Sequence, residues 1–186
     1  MWSRDMTVRR LIRLATALTL AGIAGACFQP LYGERSVTGG SAVRESLAAV
    51  DIRQIDAPKG SRLERIAVET RNELVFDLTG GGGGAPPTHQ LTVRLVPSEQ
   101  VVVLDPVTQR QEFNDFGLDA NFTMVEVASG KTVLNGMATT RVTYNAPGQQ
   151  QRFARTRALR DAETRAAKVI ADQIRSRLAS YFVAGT

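Results

Sequence analysis

The sequence of 186 residues is poor in the side chains that metal and disulfide chemistry need, since it has one histidine and one cysteine. An internal disulfide is therefore excluded, and so is a His/Cys metal cluster. The single imidazole, His89, would have to serve any Ser-His-Asp site alone, and no G-x-S-x-G sequence accompanies it. We therefore predict no enzyme, no catalytic or metal-binding residues and no cofactor.

Lysine is also scarce, with three among the 23 basic residues, and four of the arginines lie in the first 13 positions. Residues 14–26 then form an apolar run of thirteen that ends in small residues. A basic start followed by a short apolar stretch is typical of a secretory signal, and thirteen residues are too few for the about 20 that span a bilayer. We predict that 1–26 is a signal peptide.

Removal of this segment changes the charge of the protein. The whole chain carries a formal net charge of +5, but residues 27–186 hold 19 basic and 17 acidic residues. The basic balance therefore gives little reason to expect nucleic acid as a partner, and we predict none.

Cys27, the only cysteine, directly follows the small residues Ala24, Gly25 and Ala26. This arrangement resembles a bacterial lipobox, in which the cysteine thiol receives a diacylglycerol, and buried acyl chains would then anchor the protein. Ala-x-Ala also suits the ordinary signal peptidase, which would leave Cys27 as a free N-terminal residue. We favour lipidation of Cys27.

The remainder predicts one α/β (α+β) domain at 50–183, after a tether at 27–49. A strand candidate at 50–55 precedes a helix at 61–78, which Ser61 and Glu64 begin as a capping box. Three segments with period-2 alternation follow, and a long amphipathic helix spans about 153–182. The order β-α-β-β-β-α predicts a two-layer sandwich in which two helices cover one face of a four-stranded, mostly antiparallel sheet.

The alternation also separates two faces of the sheet. We expect the helices to cover the apolar residues Leu91, Val93, Leu95, Leu118, Phe122 and Val142. The opposite face carries Gln90, Thr92, Arg94, Asn121, Thr123, Asn135, Thr139 and Arg141, and no helix remains to cover it. On the last helix, we predict an apolar stripe of Leu159, Ala162, Ala166, Val169, Ile170, Ile174, Leu178 and Tyr181.

Five stretches of the chain carry a family resemblance: Cys27-Phe28-Gln29-Pro30-Leu31-Tyr32-Gly33, Arg71-Asn72-Glu73-Leu74, Val142-Thr143-Tyr144-Asn145, Arg160-Asp161-Ala162 and Ala171-Asp172-Gln173-Ile174-Arg175-Ser176-Arg177-Leu178. Together they resemble LptE, the lipopolysaccharide-assembly lipoprotein family, in its alphaproteobacterial form. The resemblance covers nearly all of 27–183. It implies a lipoprotein on the periplasmic side of the outer membrane that plugs the β-barrel LptD, aids its assembly and contacts lipopolysaccharide.

Given this resemblance, the arginines of the uncovered face become candidates for lipopolysaccharide contact, because guanidinium groups suit the phosphates of lipid A. We name Arg94 and Arg141, with Lys131 at the neighbouring hairpin as a third. The alternative is a solvated face, or one that only lines the barrel wall. Two other functions stay open, an auxiliary lipoprotein of an ABC-type envelope lipid transporter and a secreted hydrolase that uses His89.

Overall fold

The fold is built on a four-stranded sheet in the spatial order β1-β2-β3-β4, where β1 is parallel to β2 and the other pairs are antiparallel. A computed structural model describes residues 40–81, 86–104, 111–145 and 151–184. Its elements are α1 (Gly40–Ala48), β1 (Val50–Ile52), α2 (Arg62–Thr79), β2 (His89–Leu104), β3 (Gln111–Glu126), β4 (Thr132–Asn145) and α3 (Arg152–Ala184). The described residues from Ala42 onward belong to one compact unit. The predicted α+β sandwich is confirmed.

The core lies between the sheet and the helices α2 and α3, as the alternation predicts. All six residues assigned to the apolar face are buried, and Leu91 and Leu118 are fully so. Side chains on a strand alternate between faces, so the helices cover one face of β2 to β4 and leave the other open. This open face is the surface on which the candidate site lies.

Helix α2 begins and ends as its sequence indicates. The side chain of Ser61 accepts a hydrogen bond of 3.1 Å from the backbone N–H of Glu64, and the carboxylate of Glu64 accepts one of 2.6 Å from the N–H of Gly60. At the other end Gly80 takes the left-handed conformation with φ of 69°, where its N–H bonds the carbonyl of Phe76.

Helix α3 presents most of its predicted stripe to the core, with Ile170 and Ile174 fully buried. Val169 is the exception, because 39% of it is exposed. The buried side of α3 instead includes Glu163, Ala167 and Ala171, which lie on the flank of the stripe away from Val169. The prediction for Val169 is wrong, because the buried side of the helix is rotated away from it.

Helix α1 was not predicted, since its residues fall in the segment interpreted as a tether. Val43 and Leu47 are four residues apart, lie on one side of the helix and are both buried in the core. Part of the interpreted tether therefore packs with the domain.

The backbone groups at the two edges of the sheet are treated differently. Strand β1 pairs only with His89–Leu91, so no described strand pairs with the rest of this edge of β2, where Pro97 lies. The carbonyl of Leu91 bonds Arg53 on the β1 side, so Pro97, six residues on, also faces that side. At the other edge, the Gln173 side chain of α3 bonds both backbone groups of Thr139, at 3.2 and 3.1 Å.

Three predictions fall on residues that the structure does not describe: the signal peptide at 1–26, lipidation of Cys27 and the tether up to residue 39. In the described part of the chain, none of the helices combines the length and apolar character that crossing a membrane requires.

Candidate functional site

The open face of the sheet is mixed in chemistry, with threonine, asparagine and arginine beside a few apolar side chains. In β2, Arg94 is exposed and lies opposite Asn121 of β3, which lies opposite Met137 of β4. Met137 is 58% exposed and Val96, two residues after Arg94, is 49% exposed. Polar groups for hydrogen bonds and apolar side chains for packing are thus available together on this face.

Arg141 is held against the sheet by an ion pair. Its Nη1 lies 2.8 Å from Oδ1 of Asp119, and its Nη2 lies 3.4 Å from Oδ2. The guanidinium group lies over Gly117, where an added Cβ would come within 2.9 Å of Arg141 Cζ and 2.3 Å of Ser98 Oγ. The absent side chain of Gly117 therefore makes room for this arrangement, and the pKa of Arg141 is raised by its bond to Asp119.

Arg94 has a different environment, since no hydrogen bond or ion pair joins its guanidinium group to another described residue. Arg94 lies opposite Asn121, whereas Arg141 lies opposite Gly117, four residues away on β3. At about 3.3 Å per residue this offset alone is about 13 Å. The structure places both arginines on the open face but does not bring them together.

Lys131 is exposed in the hairpin between β3 and β4. Gly130, with φ of 67°, and the hydrogen bond from the N–H of Lys131 to Ser129 Oγ shape this turn. Along β3, the hairpin lies on the side of Arg94 opposite to Arg141. The three candidates are therefore spread along the sheet and do not form one pocket.

A second group of polar residues, which the sequence reading missed, connects the helices to the sheet. Glu163 of α3 is only 1% exposed, and its carboxylate accepts hydrogen bonds from two arginines of α2. Arg65 Nη2 lies 2.6 Å from Glu163 Oε2, and Arg62 Nε bonds Oε1. A buried charge needs such partners, because leaving it unpaired is costly.

Arg62 extends the network into the sheet. Its Nη1 lies 3.2 Å from Oε2 of Glu99 on β2, and its guanidinium carbon lies 5.2 Å from the ring centre of Phe116. The other oxygen of Glu99 accepts bonds from Asn114 Nδ2, at 3.2 Å, and from the hydroxyl of Tyr144. Strands β2, β3 and β4 and both large helices therefore meet at one end of the sheet.

These contacts shift the pKa values of three members of the network. Burial lowers the pKa of Arg62, but its bonds to Glu163 and Glu99 outweigh burial and raise it. Burial raises the pKa of the Glu99 carboxyl, but hydrogen bonds from its three donors outweigh burial and bring the pKa below its ordinary value. Burial and the bond to Glu99 raise the pKa of Tyr144. The latter two shifts favour the protonation states in which these hydrogen bonds form, namely the ionised Glu99 carboxylate and the neutral Tyr144 phenol.

His89 is packed among aromatic rings at the other end of the sheet. The ring of Phe182 lies edge-on at 5.2 Å between centres and that of Tyr181 at 6.4 Å, while Nδ1 is 2.9 Å from the hydroxyl of Thr88. No described carboxylate bonds its ring, so the described residues do not assemble a Ser-His-Asp arrangement around His89.

Comparison with known proteins relates this fold to bacterial lipoproteins. No family model matches the sequence, and no curated protein matches it. The chain is similar to a candidate lipoprotein from Caulobacter crescentus CB15, at 19% identity over 78% of this chain and 98% of that one, with a TM-score of 0.59.

Two further solved structures agree with this relation. Rare lipoprotein B from Shewanella oneidensis shows 16% identity over 73% of this chain and 96% of that one, with a TM-score of 0.51. Lipoprotein B from Nitrosomonas europaea shows 12% identity over 74% and 90%, with a TM-score of 0.50. The shared feature is the fold. At these identities the likeness establishes the architecture and leaves activity and partners to be inferred.

Proposed function

We propose that this chain is an outer-membrane lipoprotein of the LptE type, anchored through Cys27 on the periplasmic side. In this role it plugs an LptD-type β-barrel, aids the assembly of that barrel and binds lipopolysaccharide during its insertion into the outer membrane. Rare lipoprotein B is another name for LptE, and the fold likeness to that protein over 73% of this chain is the observation that carries the proposal.

The open sheet face supports a role as a partner subunit. An exposed face that combines Met137 and Val96 with polar groups such as Arg94 suits contact with a second protein, because interfaces mix apolar and polar area. The helices that pack on the other face make the sheet a firm support for such a contact. The face also offers the cations that a phosphate-bearing lipid requires.

The three candidate cations for lipopolysaccharide differ in the partners that they have among the described residues. Asp119 already neutralises Arg141, so this arginine would have to exchange its partner to bind a phosphate. Arg94 has no acidic partner among the described residues, and Lys131 is exposed at the hairpin. We therefore expect Arg94 and Lys131 to contribute more to lipopolysaccharide binding than Arg141.

Affinity purification from detergent-extracted membranes tests the partner and the anchor. The proposal expects a large outer-membrane barrel to co-purify with the wild-type chain. It also expects Cys27→Ala to leave the membrane fraction, because the acyl attachment point is lost. Recovery of inner-membrane transporter subunits would favour the ABC-type alternative, and unmodified Cys27 at the mature N-terminus in mass spectrometry would refute lipidation.

Charge reversal tests the ligand separately. We expect Arg94→Glu to weaken lipopolysaccharide binding by the purified mature chain more than Arg141→Glu does, with the barrel complex intact in both. The matched control is Arg177→Glu, at an exposed position of α3 in the helical layer, and it should leave binding unchanged. Unchanged binding of Arg94→Glu across a range of salt concentrations would refute the assignment of this residue.

A further inference from the structure

The first nine residues of α3, Arg152–Arg160, form a segment without a buried side chain, here called the projecting segment. The buried residues of α3 begin only at Ala162. Four of the nine residues are arginines and none is acidic, since the first carboxylate of the helix belongs to Asp161. Ala158 and Leu159 pack partly against the core, whereas Phe153 and the four arginines are exposed, so these two and a half turns present charge of one sign to solvent.

The four guanidinium groups of the projecting segment are unpaired within the described part of the chain. No ion pair or hydrogen bond joins the guanidinium group of Arg152, Arg155, Arg157 or Arg160 to another described residue. The next arginine along the helix contrasts with them, because Arg165 lies 2.8 Å from the Asp161 carboxylate. The segment thus presents a cluster of four cations that have no acidic partner among the described residues.

Phe153 gives the same segment an apolar side chain in water. It is 89% exposed, the largest value among the exposed large hydrophobic residues. Helical spacing places Phe153, Arg157 and Arg160 on one side, at i, i+4 and i+7, while Arg152 and Arg155 point to other sides. Basic residues beside an exposed aromatic side chain combine attraction to anionic headgroups with an apolar group that can enter the acyl boundary.

We propose that the projecting segment docks on the surface of an anionic phospholipid bilayer. The arginines bind headgroup phosphates, with which a guanidinium group forms paired hydrogen bonds, and Phe153 enters the boundary of the acyl chains. Cations on several sides of the helix suit a layer of phosphates that surrounds the helix end. The nearness of a bilayer rests on the lipid anchor of the proposed function, whereas the chemistry of the segment does not.

Vesicle binding by the mature chain, residues 27–186 with Cys27→Ser to remove acylation, tests the proposal. Binding to vesicles of phosphatidylglycerol and phosphatidylethanolamine should exceed binding to phosphatidylcholine vesicles and should fall with salt. Each basic residue near an anionic surface contributes about fivefold, so R157E/R160E should lose at least about 25-fold. Phe153→Ser should lower binding to the same vesicles, including at high salt.

The matched control is K168E/R177E, which makes the same charge change at exposed positions further along α3. It should keep vesicle binding, and circular dichroism should show native folding in all variants. Equal loss in the control and in R157E/R160E would overturn the proposal, and so would undiminished binding of R157E/R160E. If R157E/R160E lost binding to lipopolysaccharide micelles but kept its binding to phospholipid vesicles, that result would also overturn the proposal.

The proposed function has a separate readout, because the co-purifying barrel is identified without vesicles. An intact barrel complex with no vesicle binding refutes only the membrane role of the projecting segment. Vesicle binding without a barrel partner refutes only the LptE-type assignment.

Discussion

Removing the two partners of Glu163 should destabilise the protein more than removing Glu163 itself. The Glu163 side chain is 2% exposed, whereas those of Arg62 and Arg65 are 39% and 44% exposed. In R62A/R65A the buried carboxylate loses both donors. Breaking a buried pair from one side costs about 3–5 kcal/mol, because the remaining charge is left without compensation.

Glu163→Gln leaves two arginines that can turn toward water. The loss is then limited to charge-assisted hydrogen bonds, each of which contributes about 1.5–3 kcal/mol when fully formed. Because both arginines are well exposed, solvent replaces part of that contribution, and we expect about 2 kcal/mol in total. The double arginine variant should therefore be the less stable of the two by about 1–3 kcal/mol.

Urea unfolding of the purified mature chain measures the difference. With a slope of about 2 kcal/mol per M, R62A/R65A should shift the midpoint by about 1.5–2.5 M and Glu163→Gln by about 1 M. Arg165→Ala, which removes a surface ion pair with Asp161, is the control and should cost less than about 1 kcal/mol. Equal shifts for the two network variants would show that burial of the carboxylate does not govern the energetics here.

Three further changes probe other parts of the fold. Truncating the fully buried Ile170 to Ala should cost about 2–5 kcal/mol in urea unfolding, whereas Val169→Ala should cost below about 0.5 kcal/mol; similar costs would refute the observed face of α3. Gly117→Ala should lower the melting temperature, because its Cβ would lie 2.3 Å from Ser98 Oγ, and an unchanged value would refute that contact. The pKa of Glu99 in the folded state is lowered, so its ionised form stabilises the fold above the ordinary pKa of 4.5, and this stabilisation is lost as pH falls through the folded pKa. When unfolding free energy is measured against pH, the loss on acidification should therefore be smaller in Glu99→Gln than in the wild type.

The parts of the fold that follow from local sequence were predictable. Period-2 alternation located β2 to β4, and the pair of Ser61 and Glu64 located the start of α2 within one residue. Helix α1 escaped because only Val43 and Leu47 mark its buried side, and two apolar residues four apart are too weak a pattern beside glycine and serine.

The network around Glu163 could not be located from spacing alone, since its partners Arg62 and Arg65 lie 101 and 98 positions away. One signal did exist. Glu163 precedes the buried Ala167 by four residues and Ile170 by seven, so the helical pattern places its carboxylate on the apolar side. A lone acid in that position needs a partner, but only the fold shows which cations supply it.

The two edges of the sheet bear on whether the chain aggregates before it binds a partner. An open strand edge is a template for pairing with another chain and hence for aggregation. Pro97 offers no N–H on the edge of β2 that no described strand pairs with, and the Gln173 amide bonds both backbone groups of Thr139 on β4, as a neighbouring strand would. Both features oppose polymerisation of copies of this chain through their sheets, while the open face stays accessible for the heterotypic contacts proposed for it.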